Sequence, residues 1–149
     1  MGKAKKLKKT KTREFVVDAS LALAWCFPDE KADYPNSVLE SLSEKTAIVP
    51  ALWHLEIGNA LVMAERRKRC TTADIAKWLS FLNALPIVVD DETITRAWNH
   101  ILGLAREHNL SVYDASYLEL SLRLRLPLAT LDIPLRKAAI KAGVVDYRP

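Results

Sequence analysis

The sequence lacks the features of a membrane-spanning or disulfide-stabilised protein. No apolar run approaches the roughly 20 residues that a spanning helix needs. The 2 cysteines, Cys26 and Cys70, lie in helical patterns without metal-ligand spacing, which predicts free thiols in a reducing compartment. The basic start has neither the apolar segment nor the small-residue cleavage site of a signal peptide. We therefore expect a cytoplasmic protein that does not contact a membrane.

Acidic residues are missing from residues 1–13, which hold seven Lys and Arg side chains. The formal net charge of +4 becomes −3 when those seven cations are set aside, so the rest of the chain is mildly acidic. We predict that residues 1–13 form a basic flexible tail, which either attracts a polyanion or only keeps the chain in solution. Residues 14–149 are expected to form one domain.

Short apolar strands alternate with helical patterns in the remainder of the chain. This alternation predicts an α/β fold with a central parallel sheet and helices on both faces. Right-handed crossovers would place the carboxyl ends of the strands at one edge. Trp78 and Trp98 are predicted to lie in the core, and Trp25 and Trp53 fit core packing better than base stacking. Strands are predicted at 15–17, 47–49, 86–89 and 126–130, with an edge strand at 144–145. The first helix is predicted to start directly after residue 18, and the other helices cover 31–44, 51–68, 73–84, 92–108, 111–125 and 132–142.

Four acidic residues occupy positions where strands end or helices begin. Asp18 and Asp132 each follow a strand, Asp114 lies in the first turn of a helix, and Glu56 lies near the start of another. Each Asp is also explained by helix capping, Asp114 together with Ser111. Glu56 differs, since an ionised carboxylate on a largely apolar helix is unfavourable unless it is paired or bound to a cation.

Together these carboxylates indicate a metal site. Parallel strands bring their carboxyl ends to one edge, where four carboxylates would repel one another. A hard divalent cation relieves that repulsion, and Mg²⁺ or Mn²⁺ suits a ligand set made only of oxygen atoms. Ser20, Asn59 and Thr130 lie near these acids in sequence and would orient carboxylates or metal-bound water, or make ordinary turn and cap contacts.

The motifs around these acids resemble a known family. They are Val16-Val17-Asp18-Ala19-Ser20, then Glu56 with Asn59 three residues later, then Tyr113-Asp114-Ala115-Ser116-Tyr117, then Thr130 two residues before Asp132. In this order and spacing they resemble the PIN domain, and more narrowly the VapC toxins of toxin–antitoxin pairs. The resemblance covers about residues 14–146.

The resemblance implies a Mg²⁺-dependent endoribonuclease. Asp18, Glu56, Asp114 and Asp132 would hold one or two metal ions, and water would attack the phosphodiester in line to leave a 3′-hydroxyl and a 5′-phosphate. It also implies a homodimer that pairs with a small antitoxin protein. A basic group at the end of one helix either contacts RNA phosphates or is a solvated helix end: Arg66, Arg67, Lys68 and Arg69.

The sequence is also compatible with other functions. A PIN-like module would hold RNA or an antitoxin without cleaving, and a metal-dependent DNA nuclease would use the same carboxylates. A phosphatase of the haloacid dehalogenase type requires a second Asp where this chain has Ser20. Neither cysteine has an evident base and orienting group, and the histidines lie outside the acidic motifs, so nucleophilic Cys or His chemistry is disfavoured.

Overall fold

The computed structural model describes residues 13–28 and 32–149. Its centre is a four-stranded parallel sheet in the order β3-β2-β1-β4, which confirms the predicted α/β architecture. Phe15, Val16 and Val17 of β1 are fully buried, because a strand in the interior of the sheet is covered on both faces. The strands are β1 (Glu14–Val17), β2 (Thr46–Pro50), β3 (Ile87–Asp90) and β4 (Leu128–Ala129).

Helices cover both faces of this sheet. The chain moves from β1 to β2 to β3 in one direction and then returns past β1 to β4, so right-handed connections place the returning helices on the opposite face. The helices are α1 (Ala19–Cys26), α2 (Asp33–Ser41), α3 (Trp53–Arg66), α4 (Thr72–Asn83), α5 (Thr93–Arg96), α6 (Leu102–His108), α7 (Val112–Leu124) and α8 (Ile133–Lys141).

Local sequence signals account for several helix ends. Thr71 and Asp74 form a capping box at the start of α4. Asp132 caps α8 by accepting a hydrogen bond from the Leu135 N–H at 2.8 Å. The left-handed conformations of Asn109 and Arg125 end α6 and α7.

The predicted helix at 92–108 contains an irregularity that changes which side chains are buried. A π-helical turn, Ala97–Ile101, separates α5 from α6. Its wider turn shifts the helical phase, so Ile101 and Ala105 face the interior while Trp98 is 92% exposed. The prediction that Trp98 lies in the core is therefore wrong. Trp78 is partly buried and packs against Phe27 with ring centroids 4.8 Å apart.

The two ends of the domain differ in part from the predicted elements. Val144 and Val145 do not form an edge strand; Leu128 makes one isolated bridge with Asp146 instead. The carbonyl of Arg13 accepts a hydrogen bond from the Thr46 N–H at 3.0 Å, and residues 1–12 of the predicted tail lie outside the described residues. Both cysteines are free thiols. Among the described residues, none of the helices has the length and apolar character that crossing a membrane requires.

Candidate metal-dependent active site

The candidate site lies where the strand order reverses. β2 flanks β1 on one side and β4 flanks it on the other, so the connections leaving β1 and β4 diverge and open a crevice at their carboxyl ends. Asp18 follows β1 directly, and Thr130 and Asp132 follow β4. The fold therefore places the first and last predicted acids on either side of this crevice.

Two hydroxyl groups hold the carboxylate of Asp18. Its Oδ1 accepts a hydrogen bond from Ser20 Oγ and its Oδ2 accepts one from Thr130 Oγ1, both at 2.5 Å. Asp18 occupies the N-cap position of α1, where its side chain interacts with the backbone of Leu21 without forming a full cap hydrogen bond. The same two hydroxyls accept the backbone N–H groups of Leu131 and Asp132 at 3.0 and 2.9 Å. These hydrogen bonds connect the turn after β4 to the carboxylate of Asp18.

Burial makes the negative charge of Asp18 unfavourable. The residue is only 5% exposed, and desolvation raises the pKa of its carboxyl to about 6, although the hydroxyls of Ser20 and Thr130 and the backbone of Leu21 lower it. The nearby charge of Asp132 raises the pKa further. A proton or a cation at this position would relieve the unfavourable charge.

Glu56 projects from the first turn of α3 and is partly buried. Its Oε1 accepts a hydrogen bond from the buried hydroxyl of Tyr117 at 2.6 Å. Desolvation raises the pKa of Glu56 and the charge of Asp114 adds to this, while the bond from Tyr117 opposes it. No Lys or Arg among the described residues forms an ion pair with Glu56, so a buried salt bridge does not explain it.

Asp114 and Asp132 combine helix-start positions with proximity to the other acids. The Asp114 N–H donates to Ser111 Oγ at 3.0 Å, as expected for a capped helix start. Desolvation raises the pKa of the Asp114 carboxyl, and the charge of Asp132 raises it further. Asp132 uses Oδ1 to cap α8. Helix capping therefore involves the backbone N–H of Asp114 and one carboxylate oxygen of Asp132. Both residues remain candidate metal ligands.

The four carboxylates are coupled electrostatically in pairs. Electrostatic coupling links Asp18 to Asp132, Asp132 to Asp114, and Asp114 to Glu56. Within residues 13–28 and 32–149, no three Asp, Glu, His or Cys side chains lie close enough together to form a metal-ligand cluster. The chemistry of the donor set nevertheless fits a hard divalent cation, since it contains only carboxylate and hydroxyl oxygens and its acids destabilise one another's charge.

A groove of about 480 Å³ lies between α1 and α3 and reaches Leu131 in the turn after β4. Ser20 and Asn59 line it beside the site, and Arg67 and Arg69 line it near the end of α3. The Arg69 guanidinium lies 4.9 Å from the centre of the Phe27 ring. Arg66 and Lys68, the other two members of the predicted RNA-contacting group, do not line the groove.

Two residues beside the carboxylates were not predicted as site residues. Tyr117 contacts Glu56, and the guanidinium of Arg136 donates a hydrogen bond to the Thr130 carbonyl at 2.5 Å. Each is one helical turn after an acid of the site, Tyr117 after Asp114 and Arg136 after Asp132. That spacing is the only signal in the sequence that would have indicated them.

Comparison with known proteins identifies the family. The profile of the PIN domain family matches residues 15–141, and the chain belongs to this family. No curated protein is significantly similar in sequence.

Three solved structures share the fold. PAE2754 from Pyrobaculum aerophilum is 28% identical, with a TM-score of 0.64 over 89% of this chain and 83% of its own. VapBC2 from Rickettsia felis, bound to a DNA fragment from its promoter, is 12% identical, with a TM-score of 0.64 over 90% of this chain and 97% of its own. The sarcin-ricin loop cleaving toxin VapC20 from Mycobacterium tuberculosis is 16% identical, with a TM-score of 0.60 over 91% of this chain and 99% of its own.

Proposed function

We propose that this protein is a Mg²⁺-dependent endoribonuclease and the toxin of a toxin–antitoxin pair. The observation that carries the proposal is the electrostatic repulsion that links four carboxylates at strand ends and helix starts of a PIN domain. No Lys or Arg in the described part of the chain forms an ion pair with any of the four. Such a set favours a divalent cation, and Mn²⁺ would substitute for Mg²⁺.

Asp18, Glu56, Asp114 and Asp132 would hold one or two of these cations. A bound cation would polarise the scissile phosphate, lower the pKa of a bound water and stabilise the leaving oxygen. Ser20 and Thr130 keep both oxygens of Asp18 in a fixed orientation. Asn59 lines the same groove as Ser20, where it would orient water or a carboxylate.

No side-chain nucleophile is required for this reaction. Cys26 is buried, and burial raises the pKa of its thiol to about 11, which keeps it protonated and unreactive. Water would attack in line and leave a 3′-hydroxyl and a 5′-phosphate. The RNA strand would run along the groove, with phosphates near Arg67 and Arg69 and weaker contributions from the exposed Arg66 and Lys68.

A small antitoxin and a second copy of the chain are the proposed protein partners. The family to which the chain belongs and its structural similarity to VapBC2 support the antitoxin. Exposed apolar side chains at the starts of α3 and α5 and in the π-helical turn support a homodimer: Leu55, Ile94 and Trp98. The Ala51 N–H donates to Thr93 Oγ1 at 3.3 Å, which places the starts of α3 and α5 side by side.

A cleavage assay that compares RNA and DNA tests the proposed activity. RNA and DNA oligonucleotides of one sequence are incubated with the protein in Mg²⁺, in Mn²⁺ or in excess EDTA, and the ends of the products are analysed. We expect cleavage of RNA alone, only with metal, leaving 5′-phosphate ends. Equal cleavage of DNA would favour a DNA nuclease, and RNA binding without cleavage in Mg²⁺ would favour a binding module.

A further inference from the structure

Tyr117 lies among the candidate metal ligands although its ring belongs to the hydrophobic core. It is 1% exposed and packs in the main core cluster. Its position on α7, three residues after Asp114, puts both side chains on one face of the helix. Its hydroxyl donates to Glu56 Oε1 on α3 at 2.6 Å. One phenol thus connects the helices that carry two of the four acids.

The surroundings of the phenol keep it a hydrogen-bond donor. Burial raises the pKa of Tyr117 far above its ordinary value, and the carboxylates of Glu56 and Asp18 raise it further. The backbone of Ala19, the residue after Asp18, opposes this rise only slightly. The phenol is therefore the protonated donor in its hydrogen bond to Glu56.

We propose that Tyr117 is a positioning residue, whose hydroxyl holds Glu56 beside Asp114 and so sets the affinity of the carboxylate site for its divalent cation. This inference rests on the proposed function, because it assigns Tyr117 a role in that same site. Tyr117 itself touches neither substrate nor metal.

The physical basis is the freedom of a glutamate side chain. Glu56 is partly buried, has no cationic partner among the described residues, and is repelled by Asp114. Without the phenol, repulsion and solvation would both favour rotation of Glu56 away from the other acids. A cation would then have to reorganise Glu56 on binding. Removal of a group that orients a metal ligand typically lowers metal affinity about 10- to 100-fold.

The test uses Tyr117→Phe with Tyr113→Phe as the matched control. Both changes remove one hydroxyl from α7, but Tyr113 is 65% exposed and its hydroxyl has no hydrogen bond in the part of the chain that the structure describes. Two curves are measured for each protein: melting temperature against Mg²⁺ concentration without RNA, and single-turnover RNA cleavage rate against Mg²⁺ concentration. The melting curve reports Mg²⁺ binding to the folded protein and does not depend on RNA cleavage.

For Tyr117→Phe we expect both Mg²⁺ midpoints to rise about 10-fold, with a cleavage rate at saturating Mg²⁺ close to that of wild type. Tyr113→Phe should keep both wild-type midpoints. A lower melting temperature of Tyr117→Phe in EDTA combined with unchanged Mg²⁺ midpoints would assign Tyr117 a role in core packing only and overturn the inference.

A double variant shows whether Tyr117 acts through Glu56. In a Glu56→Gln background, Tyr117→Phe should shift the Mg²⁺ midpoint of melting by much less than it does in wild type. An equal shift in both backgrounds would contradict the inference while leaving the proposed function intact. A wild-type protein whose melting and RNA cleavage do not respond to Mg²⁺ would overturn the proposed function and this inference with it.

Discussion

Asp18 shows how one residue serves both the fold and the site. The three residues that precede it, Phe15 to Val17, are fully buried, so the carboxylate lies in a largely desolvated position. Hydroxyl groups from α1 and from the turn after β4 fix it there. Its raised pKa means that folding of the metal-free protein favours the protonated form.

The first prediction concerns stability against pH in EDTA. A carboxyl whose pKa rises from 3.8 to about 6 on folding contributes stability that is fully present below pH 3.8 and is lost as the pH rises through about 6. The shift corresponds to about 3 kcal/mol at pH 7. Relative to wild type, Asp18→Asn should gain stability progressively between pH 4 and pH 7, as measured by urea unfolding.

Asp91→Asn is the control for this prediction, since it removes one exposed carboxylate after β3. If the difference in stability between Asp18→Asn and wild type is constant across the pH range, the raised pKa of Asp18 is contradicted.

At the scale of elements, α3 runs from one of the acids, Glu56, to the arginines that line the groove between α1 and α3. It carries Glu56 and Asn59 in its first turns and ends at Arg66, just before Arg67. At about 1.5 Å per residue, Glu56 and Arg67 are separated by about 16 Å along this axis. An RNA strand that reaches from Glu56 to Arg67 would extend a few nucleotides from the scissile bond.

The second prediction concerns this groove. Arg67→Gln should weaken binding of single-stranded RNA and reduce the slope of log K against log salt by about 0.7, the value for one phosphate contact. The cleavage rate of bound RNA should change little. Arg106→Gln, in which an exposed arginine of α6 is replaced, should leave the slope unchanged. An equal slope for wild type and Arg67→Gln would exclude Arg67 from the RNA path.

The π-helical turn is the element that the sequence predicted least well. Apolar spacing over 92–108 indicates one continuous helix, and periodicity alone does not reveal a single wider turn. The consequence is an exposed Trp98 where a core residue was expected.

The third prediction uses this exposure. If Leu55, Ile94 and Trp98 contact a second copy, Trp98→Arg should shift the protein toward the monomer in light scattering after gel filtration. Ile140→Arg, at an exposed apolar residue of α8, should not. A wild-type monomer at all concentrations, or a dimer that is unaffected by Trp98→Arg, would exclude this surface as the dimer interface.

At the scale of the whole molecule, the parallel sheet and the strand-end positions of the acids could be predicted from the sequence. Both follow from local patterns: buried β-branched runs, helix starts and the acids that lie between them. The contacts of Tyr117 with Glu56 and of Arg136 with Thr130 could not, because they depend on how α7 approaches α3 and how α8 approaches the turn after β4. The order of the strands determines those approaches.

The fourth prediction concerns the predicted basic tail. Deletion of residues 1–12 retains Arg13, whose carbonyl pairs with Thr46. If the deleted cations contact RNA, affinity should fall and its salt dependence should flatten, because fewer counterions are released. Cleavage of RNA at saturating protein should survive. An unchanged salt slope after the deletion would support a tail that only keeps the chain in solution.

The central claim is that the four carboxylates act as one metal-dependent ribonuclease site. Single-turnover cleavage of RNA by wild type and Asp18→Asn, in Mg²⁺ and in excess EDTA, tests it most directly. Asn is about as good an N-cap as Asp, so the substitution leaves any capping role intact. We predict that wild type cleaves only with Mg²⁺ and that Asp18→Asn is slower by at least about two orders of magnitude, while melting no lower than wild type in EDTA. Full activity of Asp18→Asn, or wild-type cleavage that persists undiminished in EDTA, would contradict the claim.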